Sequence, residues 1–215
     1  MKSKVQFQYF LNIFFGKLFL GIYIIFLASP LWAETEQEQA IQAPVDQLHE
    51  TLISIMESAN STRFEERYAL VEMVITENFY TPLIARVVLS RYWKSLDEKT
   101  QFDFIALFNR LTIATYVDRF DSFDGESFNN LSIEPMKKNR FMVKTEFVRT
   151  NDKPVSFSYI VQNDNEQWKI ISVIANGIND LSLKRAEYSS VIKKRGFAAL
   201  VTSLEEKISD LQPDL

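Results

Sequence analysis

Few side chains in this sequence have a type and spacing that could support catalysis. The 215 residues include no cysteine and a single histidine, His49, which excludes thiolate and multi-histidine metal sites and a cysteine nucleophile. Asp121, Asp124 and Glu126 lie together in the segment DSFDGES and could serve as an acid–base group. Because Gly125 favours a turn there, we interpret these carboxylates as a solvated loop at a helix end. The sequence predicts no catalytic residue, no metal ligand and no cofactor.

The first 33 residues have the layout of a secretory signal peptide. Three lysines and no acidic residue accompany an apolar run over residues 18–28, and the small residue Ala33 follows shortly after. The run is shorter than the ~20 residues that span a bilayer as a helix. We predict export to the periplasm with cleavage after Ala33. An uncleaved anchor in the inner membrane is the alternative.

The chain beyond the predicted signal peptide is acidic. From residue 34 onward it holds 21 basic and 28 acidic residues, so its formal charge is -7, against -4 for the whole chain. Nucleic-acid binding draws its affinity mainly from neutralised phosphates. The charge therefore argues against a nucleic-acid partner.

Apolar periodicity predicts helices at both ends of the exported part. Residues 34–42 are polar and are predicted to be a disordered lead, with the first helix starting at Pro44. His49 lies one position off the apolar stripe of that helix and is interpreted as a boundary or surface residue. Further helix starts are predicted at two capping boxes (Thr62 with Glu65, Ser95 with Glu98), at Thr81-Pro82, and at Asn179 or Asp180. The second capping box opens the longest helix, about residues 96–120.

Between the helices, the period changes to the alternation of strands. Residues 139–149, 155–162 and 168–175 alternate and are joined by short turns, which indicates antiparallel hairpins, and residues 130–134 add a strand at one edge. We predict one α+β domain over residues 43–209, with helices packed on an antiparallel sheet of about four strands, and a tail over residues 210–215.

The longest predicted helix carries more apolar side chains than one helix face can hold. One interpretation is an ordinary core, and the other is the wall of a cavity for an apolar ligand. At ~0.8 kcal/mol per methylene, a lipid with about thirty chain methylenes needs on the order of 20 kcal/mol of compensation to leave a membrane for water. A protein that carries lipid through water must therefore enclose the chains.

Five segments, taken in order, resemble the Mla-type periplasmic phospholipid-carrier family, also called the toluene-tolerance auxiliary family. Within it they are most similar to the hopanoid-associated HpnM-like branch. The segments are FEERYALVEMVITENFYTPLIARVVLSRYWKSL (64–96), FNRLTIATYVDRFDSFDGESF (108–128), PVSFSYIV (154–161), WKIISVIANGINDLSLKRAEYSSVI (168–192) and RGFAALVTSLEEKI (195–208). The chain departs from the family pattern at Tyr80 and Ser172, where Asp is usual, at Ser90, where Gly is usual, and at Asn179, where Ser is usual.

The resemblance implies a curved sheet and a hydrophobic pocket for the acyl chains of a phospholipid or a hopanoid. It implies no catalytic residue and no cofactor. The implied partners are an inner-membrane ABC transporter complex and an outer-membrane lipoprotein complex. We predict that the pocket is lined by Val87, Phe104, Phe108, Leu111, Tyr116, Val143, Phe157, Tyr159 and Val173, although a one-residue slip would exchange the two faces of a strand.

Two other functions stay open at this point. A small pocket enzyme using carboxylate acid–base chemistry would need an Asp or Glu that projects inward, and the predicted inner faces of residues 141–147 and 155–161 hold none. A membrane-tethered interaction module in the periplasm would need residues 18–28 to be retained as an anchor. The N-terminus of the exported protein distinguishes the tether from a free carrier.

Overall fold

The computed structural model describes residues 29–150 and 152–212, and the side chains from residue 36 onward. The chain divides into two units, Met1–Ala40 and Ile41–Leu215, and the second contains the sheet and the core. The predicted signal peptide lies outside the described residues up to residue 28, and its cleavage stays a prediction. None of the helices in the described residues has the length and hydropathy needed to cross a membrane.

The described residues form six α-helices and a five-stranded sheet. The helices are α1 (Ser29–Glu57), α2 (Phe64–Asn78), α3 (Thr81–Leu89), a 3-10 helix (Ser90–Ser95), α4 (Glu98–Arg119), α5 (Asp180–Arg195) and α6 (Phe197–Leu211). The strands are β1 (Ser127–Met136), β2 (Arg140–Val148), β3 (Val155–Asp164), β4 (Gln167–Ala175) and β5 (Ile178–Asn179). The predicted α+β class is confirmed.

The sheet is open, and its strands pair antiparallel in chain order. It has one strand more than the predicted four. The extra strand β5 follows a two-residue turn of Asn176 and Gly177, both with positive φ, and Asn-Gly is the preferred sequence for such a hairpin turn. Val143, Thr145 and Phe147 of β2 are buried and alternate with half-buried neighbours. The inner face of the sheet was therefore predicted correctly for this strand.

The ends of the domain differ from the prediction. Residues 34–42, predicted to be a disordered lead, belong to α1, and Pro44 lies inside that helix rather than at its start. Ile41 is buried with Val45 and Leu48, because the spacing of four and seven residues places all three on one face. At the other end, α6 continues through Leu211, which packs against the core, so residues 210 and 211 are not part of a tail.

Neither predicted capping box forms. The hydroxyl of Thr62 donates to the carbonyl of Ser58, and that of Ser95 donates to the carbonyl of Tyr92, so each completes the turn that precedes its helix. Asp97 caps α4 instead, and its carboxylate accepts from the backbone N–H of Thr100. The predicted cap at Asn179 is confirmed, since its side chain accepts from the N–H of Ser182.

His49 is a core residue rather than a surface residue. It is 6% exposed, its Nε2 lies 3.0 Å from the hydroxyl of Tyr159, and its ring stacks on Phe128 with the ring centroids 3.8 Å apart. Both partners come from strands far away in sequence. Burial lowers the pKa of His49 to about 4, and the nearby carboxylate of Asp46 opposes this shift only in part.

Because of this burial, we expect the protein to lose stability as the pH falls below neutral. The unfolded state takes up a proton on His49 below pH ~6.5, and the folded state does so only near pH 4. Between these values the unfolded state binds more protons, so acid favours unfolding. The wild type should lose on the order of 3 kcal/mol more unfolding free energy between pH 7 and pH 4 than His49→Gln, measured by urea denaturation. Parallel pH profiles of the two proteins would contradict this assignment.

Ser90 has a backbone conformation that favours glycine. It ends α3 with φ 54° and ψ -122°, a region that is strained for residues with a Cβ. We expect Ser90→Gly to raise the unfolding free energy by about 1 kcal/mol, because relief of strain exceeds the added entropy of the unfolded chain. Ser90→Ala is the matched control and should give no gain, since it keeps the Cβ. Equal denaturation midpoints for the Gly and Ala variants would refute the argument.

Candidate functional site

A mostly apolar cavity of about 490 Å³ lies between the helices and the inner face of the sheet. Its walls come from α4, from strands β2 to β4 and from the first turns of α5, with contributions from Phe79 and Ile84. The volume falls within the ~300–1,000 Å³ typical of pockets for small organic ligands. Part of the wall is exposed, so the cavity opens to solvent.

The α4 wall is a single stripe of the helix. Its members recur at intervals of three and four residues and are Phe108, Leu111, Thr112, Thr115, Tyr116 and Arg119. The hydroxyls of Thr112 and Thr115 donate to the carbonyls of Phe108 and Leu111 within the helix, at 2.8 and 2.7 Å. These two threonines therefore satisfy their polar groups without a ligand.

Aromatic side chains form a continuous part of the cavity wall. Phe120 stacks with Tyr116 at 6.0 Å between ring centroids and meets Phe147 edge-on at 5.8 Å, while Phe79 contacts Tyr116 edge-on at 6.2 Å. The opposite wall is formed by the sheet through Phe157, Ile171, Val173 and Ala175. Such walls bury apolar surface and offer few hydrogen-bond partners to a ligand.

The cavity mouth is formed by Arg119, Arg149, Ile178, Asp180, Leu183 and Lys184. All of these are exposed except Lys184, which is half-buried. Lys184 binds the carboxylate of Asp180 at 2.6 Å, and Arg149 binds that of Asp152 at 3.0 Å. Burial raises the pKa of Tyr116, the carboxylate of Asp180 raises it further, and the Arg119 guanidinium lowers it. Tyr116 thus lies in the cavity wall within reach of the charges of the mouth.

Two of the departures from the family pattern contact each other at the cavity wall. Ser172 lines the cavity and is only 6% exposed. Its hydroxyl accepts a hydrogen bond from the side-chain amide of Asn179 at 3.0 Å. The carbonyl oxygen of the same amide caps α5. The pair joins the wall to the start of α5 without a charged group.

Five of the nine predicted pocket residues line the cavity, and four do not. Phe108, Leu111, Tyr116, Phe157 and Val173 are in the wall. The predictions for Val87, Phe104, Val143 and Tyr159 are not supported by the position of these side chains. Phe104 packs against Tyr188 and Phe197, Val143 and Tyr159 pair on neighbouring strands near His49, and Val87 is half-buried on α3.

The sequence prediction missed the basic mouth and several aromatic wall residues. Arg119 continues the α4 series that begins at Phe108, so helical periodicity alone could have included it. Phe79 ends α2 and Phe120 ends α4. Each lies four residues after an apolar residue of its helix, but periodicity alone does not show that the two helix ends meet at one cavity. Lys184 and Arg149 could only be found from the tertiary structure.

The acidic segment after α4 does not contribute to this cavity. Asp121, Asp124 and Glu126 lie outside the cavity wall, and the carboxylate of Glu126 accepts from the backbone N–H of Asp124. Among the described residues that line the cavity, Asp180 alone carries a carboxylate, and it is bound to Lys184. No group of three acidic or histidine side chains in the described part of the chain could hold a metal ion.

Comparisons with known proteins agree with this architecture. A solved structure of a phospholipid-binding protein from Ralstonia solanacearum in complex with a phospholipid superposes with a TM-score of 0.70 at 20% identity, over 80% of this chain and 98% of that chain. This likeness shows a shared fold. No curated protein sequence gives a match. The family model described as MlaC protein matches residues 46–206, and because it spans most of the sequence, the chain belongs to the MlaC family.

Proposed function

We propose that this protein is a periplasmic carrier that binds the acyl chains of a phospholipid in the cavity between α4 and the sheet. The observation that carries the proposal is an apolar cavity, open to solvent, in a chain of the MlaC family. The Ralstonia protein of the same fold was solved in complex with a phospholipid. A role in binding and transport also suits a cavity in which Asp180, alone among the described wall residues in carrying a carboxylate, is held in an ion pair with Lys184.

In the proposed mechanism, the acyl chains enter between α4 and the sheet, and the head group stays at the cavity mouth. Each enclosed methylene recovers ~0.8 kcal/mol of the free energy that exposure to water would require. Exposed Leu183 and the adjoining Leu181 lie in the first turns of α5 and line the cavity. We propose that this end of α5 shifts to admit the chains, because its exposed side chains Asp180 and Leu183 line the mouth.

The proposal extends to the place of the carrier in the cell envelope. On the basis of the family resemblance, it exchanges lipid with an inner-membrane ABC transporter complex and an outer-membrane lipoprotein complex. Similarity to the HpnM-like branch makes a hopanoid the alternative ligand. Apolar walls respond to the volume of a ligand and do not distinguish these two lipids.

Filling the cavity should abolish lipid binding. Val173→Trp adds a large ring to the wall, whereas Ile174→Trp adds the same ring at the next position of β4, which is not in the wall and points to the other face of the sheet. We expect lipid that co-purifies from a Gram-negative periplasm to fall at least about tenfold for Val173→Trp and to stay near the wild-type amount for Ile174→Trp. The measurement is mass spectrometry of extracted lipid per mole of protein.

Circular dichroism of both variants checks that the fold is kept, because an added ring can strain a packed site. If folded wild-type protein carries no lipid, the carrier proposal is wrong. If Val173→Trp keeps its lipid, the chains lie elsewhere in the protein.

Export is tested by the N-terminus of the protein recovered from the periplasm. We expect N-terminal sequencing to begin at Glu34, since signal peptidase cleaves after a small residue and Ala33 is such a residue. An intact N-terminus on protein that fractionates with the inner membrane would instead favour the tethered interaction module.

A further inference from the structure

The charge of the cavity mouth is opposite to the charge of the rest of the protein. From residue 34 onward the formal charge is -7, yet Arg119, Arg149 and Lys184 all line the opening, together with the one acidic residue Asp180. Basic side chains at the entrance of an apolar cavity attract an anionic group on the part of a ligand that stays outside the cavity.

The ion pairs at the mouth leave one cation uncompensated. Asp180 binds Lys184, and Asp152 binds Arg149, whereas Arg119 forms no ion pair with any described residue. The two pairs are partly exposed, with 52% and 60% exposure of their carboxylates. Partly exposed pairs of this kind contribute little to stability, so a stronger anion can replace the carboxylates on Lys184 and Arg149.

The start of α5 adds to the positive potential at the same place. Asp180 and Leu181, its first residues, line the cavity, so the positive end of this 16-residue helix faces the mouth. The backbone N–H of Ser182 already donates to the side chain of Asn179. The helix end supports the basic side chains but does not define a site without them.

We infer that the cavity mouth is a binding subsite for the phosphate of a lipid head group, with Arg119 as its main ligand and Lys184 and Arg149 as secondary ones. This inference rests on the proposed function, because the chains must occupy the cavity for the head group to reach the mouth. A guanidinium binds phosphate oxygens through paired, charge-assisted hydrogen bonds. An uncharged lipid, such as diacylglycerol or a hopanoid without phosphate, has no anionic group that could accept these hydrogen bonds. The mouth therefore selects phospholipids.

A competition between two lipids that differ only in phosphate tests the subsite. The full exported protein is incubated with non-ionic detergent micelles that contain equal amounts of dioleoyl phosphatidylglycerol and dioleoylglycerol, and the captured lipids are quantified by mass spectrometry. We expect the wild type to enrich phosphatidylglycerol, and Arg119→Gln to lower the captured ratio about tenfold, as expected for the loss of a charged hydrogen bond.

Arg110→Gln is the matched control. Arg110 is an exposed arginine on the same helix and is not in the cavity wall, so this variant makes the same change in net charge and should keep the wild-type ratio. Capture of phosphatidylglycerol by the wild type should also weaken as salt rises, while capture of dioleoylglycerol should not. Thermal unfolding of all three proteins confirms that they are folded.

The outcomes separate this inference from the proposed function. Equal capture of both lipids by the wild type, or an Arg119→Gln variant that loses both lipids equally, overturns the phosphate subsite and leaves the carrier proposal intact. A folded wild type that captures neither lipid overturns the carrier proposal, and the subsite with it.

Discussion

The structure depends on the need to cover helix α4, which is too apolar to lie against a single neighbour. At its start, Phe104 is enclosed by Tyr188 of α5 and Phe197 of α6. Further along, Phe108 and Leu111 turn toward the sheet. Between this part of the helix and the sheet lies the cavity. Hydrophobic burial therefore fixes the fold at one end of α4, and the unfilled space at its other end is available to a ligand.

Local patterns in the sequence predicted the elements better than their contacts. The alternation of β2 and β3 identified the face that is buried. Asn179 was one of the two residues predicted to cap α5, and it does so through the N–H of Ser182, only three residues away. The burial of His49 could not be predicted in this way. Its partner Tyr159 is 110 residues distant, and a histidine at the edge of an apolar stripe is equally compatible with water and with a buried hydrogen bond.

The same limit explains which pocket residues were predicted. Alternation gives the face of a strand but not the position along it. Val143 and Tyr159 pair with each other on the inner face, beside His49, whereas Phe147 and Phe157 lie further along the same two strands and reach the cavity. A similar division runs along α4. Periodicity identifies the apolar face of a helix, but it does not show which neighbouring element packs against each turn of that face.

The uncharged contact between Ser172 and Asn179 bears on how the cavity treats an anionic lipid. In the family that the sequence was found to resemble, Asp is usual at position 172, and a carboxylate in this buried wall would require a cation or a proton to stabilise it. It would also place a second negative charge in the same cavity as Asp180 and so offset Arg119. With Ser172 the wall is neutral, and the hydroxyl finds its partner in the amide that caps α5. The positive charge of the mouth is then left to act on the ligand, because Asp180, alone among the described wall residues in carrying a carboxylate, is paired with Lys184.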